Sequence, residues 1–189
     1  MARYPGARWR PVARYQPGGS SHVLMSRHDG GVDHTAVAAW SSDTAHAFFN
    51  TPGRATPHFW FNEDGTADQY IDTSARSSAV LNGNHRLITW ETWDGFPAAW
   101  SGGNAPPDNA AIVESKARCM VWLHETHGIP LVRMPSSRPE ARGFGWHRLG
   151  IDGNFPTPPG TLLGGRVPGG EHWSGSFGKG CPTDPRIRQ

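Results

Sequence analysis

Cys181 stands in Gly178-Lys179-Gly180-Cys181-Pro182, a glycine loop rather than the apolar run that usually surrounds a structural cysteine. A thiolate in such a place is either a metal ligand or a nucleophile stabilised by the lysine two residues before it. The chain also carries ten histidines. Four have a context: His34 at a strand-to-loop junction, His58 opening a strand, His147 in Gly145-Trp146-His147-Arg148, and His172 in Gly170-Glu171-His172-Trp173. His124 and His127 are an i,i+3 pair at the end of a helical stretch, better read as cations near a helix C-terminus than as ligands lacking a third partner. His22, His28, His46 and His85 have no supporting pattern. A hydrolytic zinc site needs three protein ligands, an open position for water, and a carboxylate to take the water's proton. Two histidines, Cys181, and Glu91 at a strand end could supply that set. Single ligands scattered along a chain carry no spacing signature, however. On residue chemistry alone a metallohydrolase and a metal-independent cysteine hydrolase both remain open.

The elements that must bring these residues together are unevenly legible. Residues 1–20 read as an extended basic arm carrying Arg3, Arg8, Arg10 and Arg14, more a solvated tail than a surface-binding stripe. His22 to Met25 is a weak strand, and Thr35 to Phe49 a helix-like stretch stopped by Asn50-Thr51-Pro52-Gly53. His58-Phe59-Trp60-Phe61, a turn at Asn62 to Gly65, and Thr66 to Ile71 form the clearest hairpin, with Asp-Gly as its turn signal. Arg86 to Trp93 is a further strand, and Trp100 to Asp108 a loop. The long helix runs from about Asn109 to His127, capped by Asp108 and closed by Gly128 and Pro130. Its apolar face is read from Ile112, Val113, Ala117, Met120, Val121 and Leu123, with Cys119 a small core residue. After Val132 nothing periodic remains, and residues 135–189 are expected to form long loops. Strands, one strong helix and more strands make an α/β (α+β-like) single domain.

Composition narrows the class further. The 189 residues include 24 glycines and 17 prolines, about a fifth of the chain against roughly 12% in an ordinary protein. Only 36% are hydrophobic and 18% charged, yet nine tryptophans and eight phenylalanines supply the apolar surface a disordered chain would lack. A net charge of +2 without a Lys/Arg stripe argues against nucleic acid. No stretch of about 18 apolar residues predicts a bilayer span. No signal peptide is legible, so synthesis in a cytoplasm is expected. Two cysteines allow one bridge and no disulfide scaffold.

Five segments, taken in order, resemble the zinc-dependent N-acetylmuramoyl-L-alanine amidases, the family of phage endolysins and animal peptidoglycan recognition proteins. They are Asp33-His34-Thr35-Ala36-Val37; Thr56 to Thr66 followed by Gln69-Tyr70-Ile71-Asp72; Asn84 to Gly95 with Trp90-Glu91-Thr92; Gly143 to Arg148; and Gly178 to Pro182. The likeness spans roughly residues 20–189 and is greatest to catalytic domains of endolysins from phages of actinobacteria. It implies two segments, an arm over 1–20 and a zinc amidase catalytic domain over 21–189, with a mixed sheet flanked by helices and the site at one end of the sheet. His34, His147 and Cys181 match the zinc ligands. Lys179 matches the lysine that stabilises the oxyanion, and Glu91 the acidic residue that activates water. His58 falls where the resemblance suggests a structural or substrate-lining role. Another branch of the family carries a catalytic tyrosine where this chain has Pro57, which leaves the base role to Glu91. His172 competes with His147 for the second ligand position, and the Gly-Trp-His-Arg-Leu-Gly context favours His147.

The activity so implied is hydrolysis of the amide between N-acetylmuramic acid and the L-alanine of the stem peptide. Zinc would be the cofactor and bacterial peptidoglycan the partner. Nucleic acid and membrane insertion are not expected, and a monomer is. The enzyme would be an endolysin that lyses its host, made in the host cytoplasm and acting on the wall after release. Trp60, Trp90, Trp93, Trp100, Trp146 and Trp173 are candidates to line a sugar groove, with most of them expected in the core. A non-catalytic binding module of the same fold is a third reading, and it would dispense with Cys181, Lys179 or Glu91.

Overall fold

The computed structural model describes residues 2–95 and 108–189. The loop expected from Trp100, and Trp100 itself, lie outside them apart from Asp108. Six strands form one mixed sheet: β1 (Ala7–Trp9), β2 (Gly30–Thr35), β3 (Phe59–Phe61), β4 (Ala67–Gln69), β5 (Leu87–Thr92) and β6 (Gly143–Trp146). Their order is β1-β4-β3-β5-β2-β6, with every neighbouring pair parallel except the β3–β4 hairpin. Three α-helices among the described residues accompany them: α1 (Ser42–Asn50), α2 (Ala110–His127) and the short α3 (Asp184–Arg188). The expected single α/β domain around a mixed sheet is what forms.

Alternation along the strands sorts residues between the two faces. Phe59, Phe61, Ile88, Trp90 and Phe144 pack with Ile112, Cys119 and Leu123 of α2. Trp60 points the other way, into a cluster with Phe49 of α1 and with Tyr70. Val32 and Leu87 join Leu149 and Trp173 under the C-terminal loops. A Cβ on Gly31 would lie 2.6 Å from the Trp90 ring and 2.7 Å from Phe144. Glycine is therefore what lets those two rings close over β2. The same alternation sends His34 and Glu91 to the face away from α2, where they are partners in the β2–β5 register.

α2 starts one residue later than its sequence suggests. Asn109 rather than Asp108 is the cap, its side chain accepting from the Ile112 N–H at 3.0 Å. Such a bond typically contributes about 1 kcal/mol. Gly128 ends the helix in the left-handed conformation at φ 66°. The buried face differs from the expected one: Val113, Ala117 and Val121 are exposed, and Lys116 is buried between Ile112 and Cys119. The Lys116 ammonium is 2.7 Å from Asp33 and 2.6 Å from Asp108, and Arg186 of α3 reaches Asp108 at 2.6 Å. Asp108 is thus a buried counter-ion, which explains why the cap moved. Charges are retained in an interior only when paired in this way.

The first twenty residues are built into the fold rather than trailing from it. β1 is an edge strand parallel to β4, and Val12 and Tyr15 are buried. Arg8 pairs with the buried Asp68 at 2.8 Å, and Arg10 with Asp43 at 2.8 Å. Arg14 donates to the Phe49 carbonyl at 2.8 Å and to Thr56 Oγ1 at 2.6 Å. The weak strand at His22 to Met25 reduces to one bridge between Leu24 and Ala75. Thr35 ends β2, so α1 begins only at Ser42, capped by Ser41. The region expected to lack elements holds β6, which pairs with β2, and then a 3-10 turn over His147–Gly150. Cys119 and Cys181 are both buried free thiols. No helix among the described residues is long and apolar enough to cross a membrane.

Candidate metal centre

Three elements converge at the C-terminal end of the central strands. β2 delivers His34, the turn after β6 delivers His147, and the irregular segment before α3 delivers Cys181. One candidate ligand atom from each of the three lies within 4.8 Å of the others, and all three side chains are buried. The imidazole rings are 4.0 Å apart between centroids. Their hydrogen bonding is incomplete in a telling way. His147 Nε2 donates to the Trp173 carbonyl at 2.8 Å, which leaves Nδ1 buried with no partner. His34 Nε2 is likewise buried and unpartnered. The Cys181 sulfur accepts from the Thr35 N–H at 3.2 Å. Buried polar atoms without partners are rare and call for an explanation. Two nitrogens and a sulfur facing one point form a donor set that can hold a metal ion, and N/S ligation of this kind suits zinc. The carbonyl behind His147 is the kind of outer partner that fixes a ligand's tautomer and orientation.

Electrostatics agree with the geometry. Burial, then the neighbouring His147 and Lys179, hold His34 well below its usual range, while burial and then Lys179 bring His147 down to about 3. Both rings are therefore neutral and have lone pairs to offer. Burial, reinforced by Glu91, pushes the Cys181 thiol up to about 12, against the opposing pull of Lys179. A thiol so placed is a poor free nucleophile, and a cation is what would deprotonate it. Glu91 Oε1 lies 3.7 Å from His34 Nδ1, and Oε2 is buried without a partner. Burial raises the Glu91 carboxyl to about 8; Lys179 opposes the rise, and Asp33 and Asp94 add to it. Lys179 is near enough to act on all four groups. The ligand set is almost sealed, whereas Glu91 and Lys179 are partly exposed, so solvent reaches the site from their side.

The other singled-out residues fall elsewhere. The His172 side chain is half exposed, with Nδ1 3.3 Å from Asp152, and takes no part in the cluster. His124 and His127 part company: one bonds the Ile129 carbonyl, the other Thr73 Oγ1. Trp60, Trp90 and Trp173 are core residues, and Trp146 is buried. Trp93 does line a groove of about 600 Å³, together with Trp40, Arg8 and Asn62. Trp40 carried no signal in the sequence beyond being a tryptophan. The Trp173 carbonyl behind His147 carried none, because a backbone acceptor has no residue signature.

His58 is wholly buried and structural. Its Nδ1 accepts from the Thr89 N–H at 3.0 Å, and its Nε2 donates to the Ala75 carbonyl at 2.9 Å. Only the neutral ring can do both. Burial accordingly lowers it from 6.5 to about 4, with the Ala75 bond opposing. A group depressed on folding contributes its stability in full above pH 6.5 and loses it as pH falls through 4. The difference corresponds to roughly 3 kcal/mol. Urea unfolding from pH 7 down to pH 4 should therefore show a steeper decline for the native chain than for His58→Gln. Identical pH dependence in the two proteins would remove His58 from the acid response.

No family model and no curated protein matches the chain. Solved structures do share its fold. The Staphylococcus aureus hydrolase AmiA is 14% identical, with 78% of this chain and 67% of that one aligned at a TM-score of 0.56. The endolysin N-acetylmuramoyl-L-alanine amidase LysCS from Clostridium intestinale is 15% identical, covering 78% and 84% at 0.53. The PlyG catalytic domain is 14% identical, covering 86% and 82% at 0.54. At such identities the likeness is one of fold.

Proposed function

We propose that the chain is a zinc-dependent peptidoglycan amidase that cleaves the bond between N-acetylmuramic acid and the L-alanine of the stem peptide, as an endolysin catalytic domain does. The observation that carries this reading is the buried His34–His147–Cys181 set, with one nitrogen of each ring unpartnered, beside an unpartnered Glu91 oxygen. The shared fold supports it, because two of the solved neighbours are described as a hydrolase and as an N-acetylmuramoyl-L-alanine amidase. His34 Nε2, His147 Nδ1 and the Cys181 thiolate would hold the ion. When bound, zinc would act as a Lewis acid on a carbonyl oxygen and would bring the pKa of water down to near neutrality.

The chain's own residues then have separable tasks. Glu91, held by β5 beside His34 and outside the ligand set, would accept the proton of the attacking water and return it to the leaving amine. That task needs its carboxyl ionised, and so calls on Lys179 and a bound cation to offset the burial that raises it. Lys179 offers an ammonium to the developing oxyanion, and a donor of this kind typically contributes about 3 kcal/mol to lowering the barrier. The Trp40–Trp93 groove, which none of the metal-site residues lines, offers aromatic faces on which a sugar ring could pack. The protein would act as a monomer on the bacterial wall, reached after release from the host cytoplasm. A metal-independent cysteine hydrolase is disfavoured by the raised thiol of Cys181. A purely binding module would have no use for a carboxylate and a lysine placed beside the ligand set.

Mass spectrometry of muropeptides released from purified wall tests the reading. Stem peptides bearing new free L-alanine amines, formed by protein holding about one zinc per chain and lost on chelation, are expected. Release of other termini, or full lysis with the metal stripped, would overturn it.

A further inference from the structure

We infer that Arg148 is a positioning residue that holds Cys181 in ligating geometry, an inference that rests on the metal site proposed above. Cys181 belongs to neither helix nor strand, so although its sulfur accepts from the Thr35 N–H of β2 at 3.2 Å, no regular element fixes its backbone. Arg148 does so instead, directly after His147 in the 3-10 turn. Its backbone N–H donates to the Cys181 carbonyl at 2.9 Å. One guanidinium nitrogen donates to the carbonyls on either side, Gly180 at 3.2 Å and Pro182 at 3.0 Å. The second terminal nitrogen donates to Asp184 Oδ1 at 2.6 Å and to the Leu163 carbonyl at 3.2 Å, while Nε is buried without a partner. A single buried residue thus grips three consecutive carbonyls, 180 to 182, and a carboxylate just beyond them.

The consequence is geometric. His147 and Arg148 are adjacent in the chain, so the ring of one ligand and the backbone of the other are joined by one peptide unit and a set of short hydrogen bonds. Few soft torsions remain between His147 Nδ1 and the Cys181 sulfur. The planar guanidinium suits the task because its five donors lie in a fixed fork, whereas the single ammonium of lysine cannot span both flanks of Cys181. Asp184 compensates the buried charge, which would otherwise be costly to keep there. The segment 178–182 is thereby shaped before any metal arrives.

The test is Arg148→Lys, which keeps the charge and removes the fork. Cobalt(II) in place of zinc gives a thiolate-to-metal absorption band that reports Cys181 directly. The variant is expected to keep the circular dichroism of the native chain, to lose most of that band, and to bind zinc roughly 10–100-fold more weakly, the usual cost of removing an outer-shell partner. An unchanged band with zinc affinity within about twofold of native would overturn the inference. Should Arg148→Lys fail to fold, Asp184→Asn loosens only one corner of the grip. It is expected to weaken zinc binding several-fold, and native affinity there would overturn the inference equally. A native chain that shows no thiolate band at all would instead overturn the metal site on which the inference rests.

Discussion

Glu91→Gln is expected to keep its zinc and to lose turnover by roughly 10²–10⁴-fold, the range typical of a lost general base. Glutamine preserves the shape and burial of the side chain, so packing at the end of β5 should hold. Its neutral amide cannot take the proton that a carboxylate would, whether at Oε1 beside His34 or at the buried, unpartnered Oε2. The three ligand atoms belong to other residues, so metal content should stay near one per chain. Wall-lysis rates together with elemental analysis of the purified variant separate the two effects. Activity within a few-fold of native would take Glu91 out of the reaction. Loss of zinc together with activity would recast it as a ligand.

The second large effect concerns two histidines that the sequence leaves in competition. His147→Ala should lower zinc affinity by more than about 100-fold, since even outer-shell changes cost 10–100-fold. His172→Ala should leave affinity within a few-fold of native. The difference follows from where the rings sit: one is buried with Nδ1 turned to the cluster, the other half exposed beside Asp152. Chelator competition on the two variants reads this directly. Because bound metal stabilises only the folded chain, the shift in melting temperature on adding zinc should vanish for His147→Ala and persist for His172→Ala. The reverse pattern would move the ligand assignment to His172.

Much of the scaffold is legible because it is local. The β3–β4 hairpin is announced by its Asp-Gly turn, and α2 by a glycine stop and a following proline, although its cap is Asn109 rather than the expected Asp108. The candidate site is legible only through the order of its segments, because His34, His147 and Cys181 meet through strand pairings far apart in the chain. What escapes the sequence is decided by those same pairings. β6 reads Gly-Phe-Gly-Trp, two glycines in four residues, and becomes a strand because β2 offers it a parallel edge. β1 is three residues long and exists only against β4, some sixty residues away. The face of α2 is misread because Lys116 occupies an interior position, made tolerable by the distant Asp33 together with Asp108. Arg148 looks like one more basic residue until the carbonyls it holds are seen.

The pairing of β1 with β4 bears on where the molecule can be cut. Asp68 lies on β4 and is fully buried, and the cations that answer it, Arg8 and Arg10, come from the first ten residues. Trimming the chain to begin at Ser21 would strip the outermost strand, uncover a row of unpaired amides and carbonyls along β4, and leave a carboxylate interred without its counter-charge. A stretch meant to keep this sheet edge therefore includes residues whose sequence reads as a solvated arm. A fusion partner joined at this end belongs ahead of Arg3, where the guanidinium still covers the Trp9 ring.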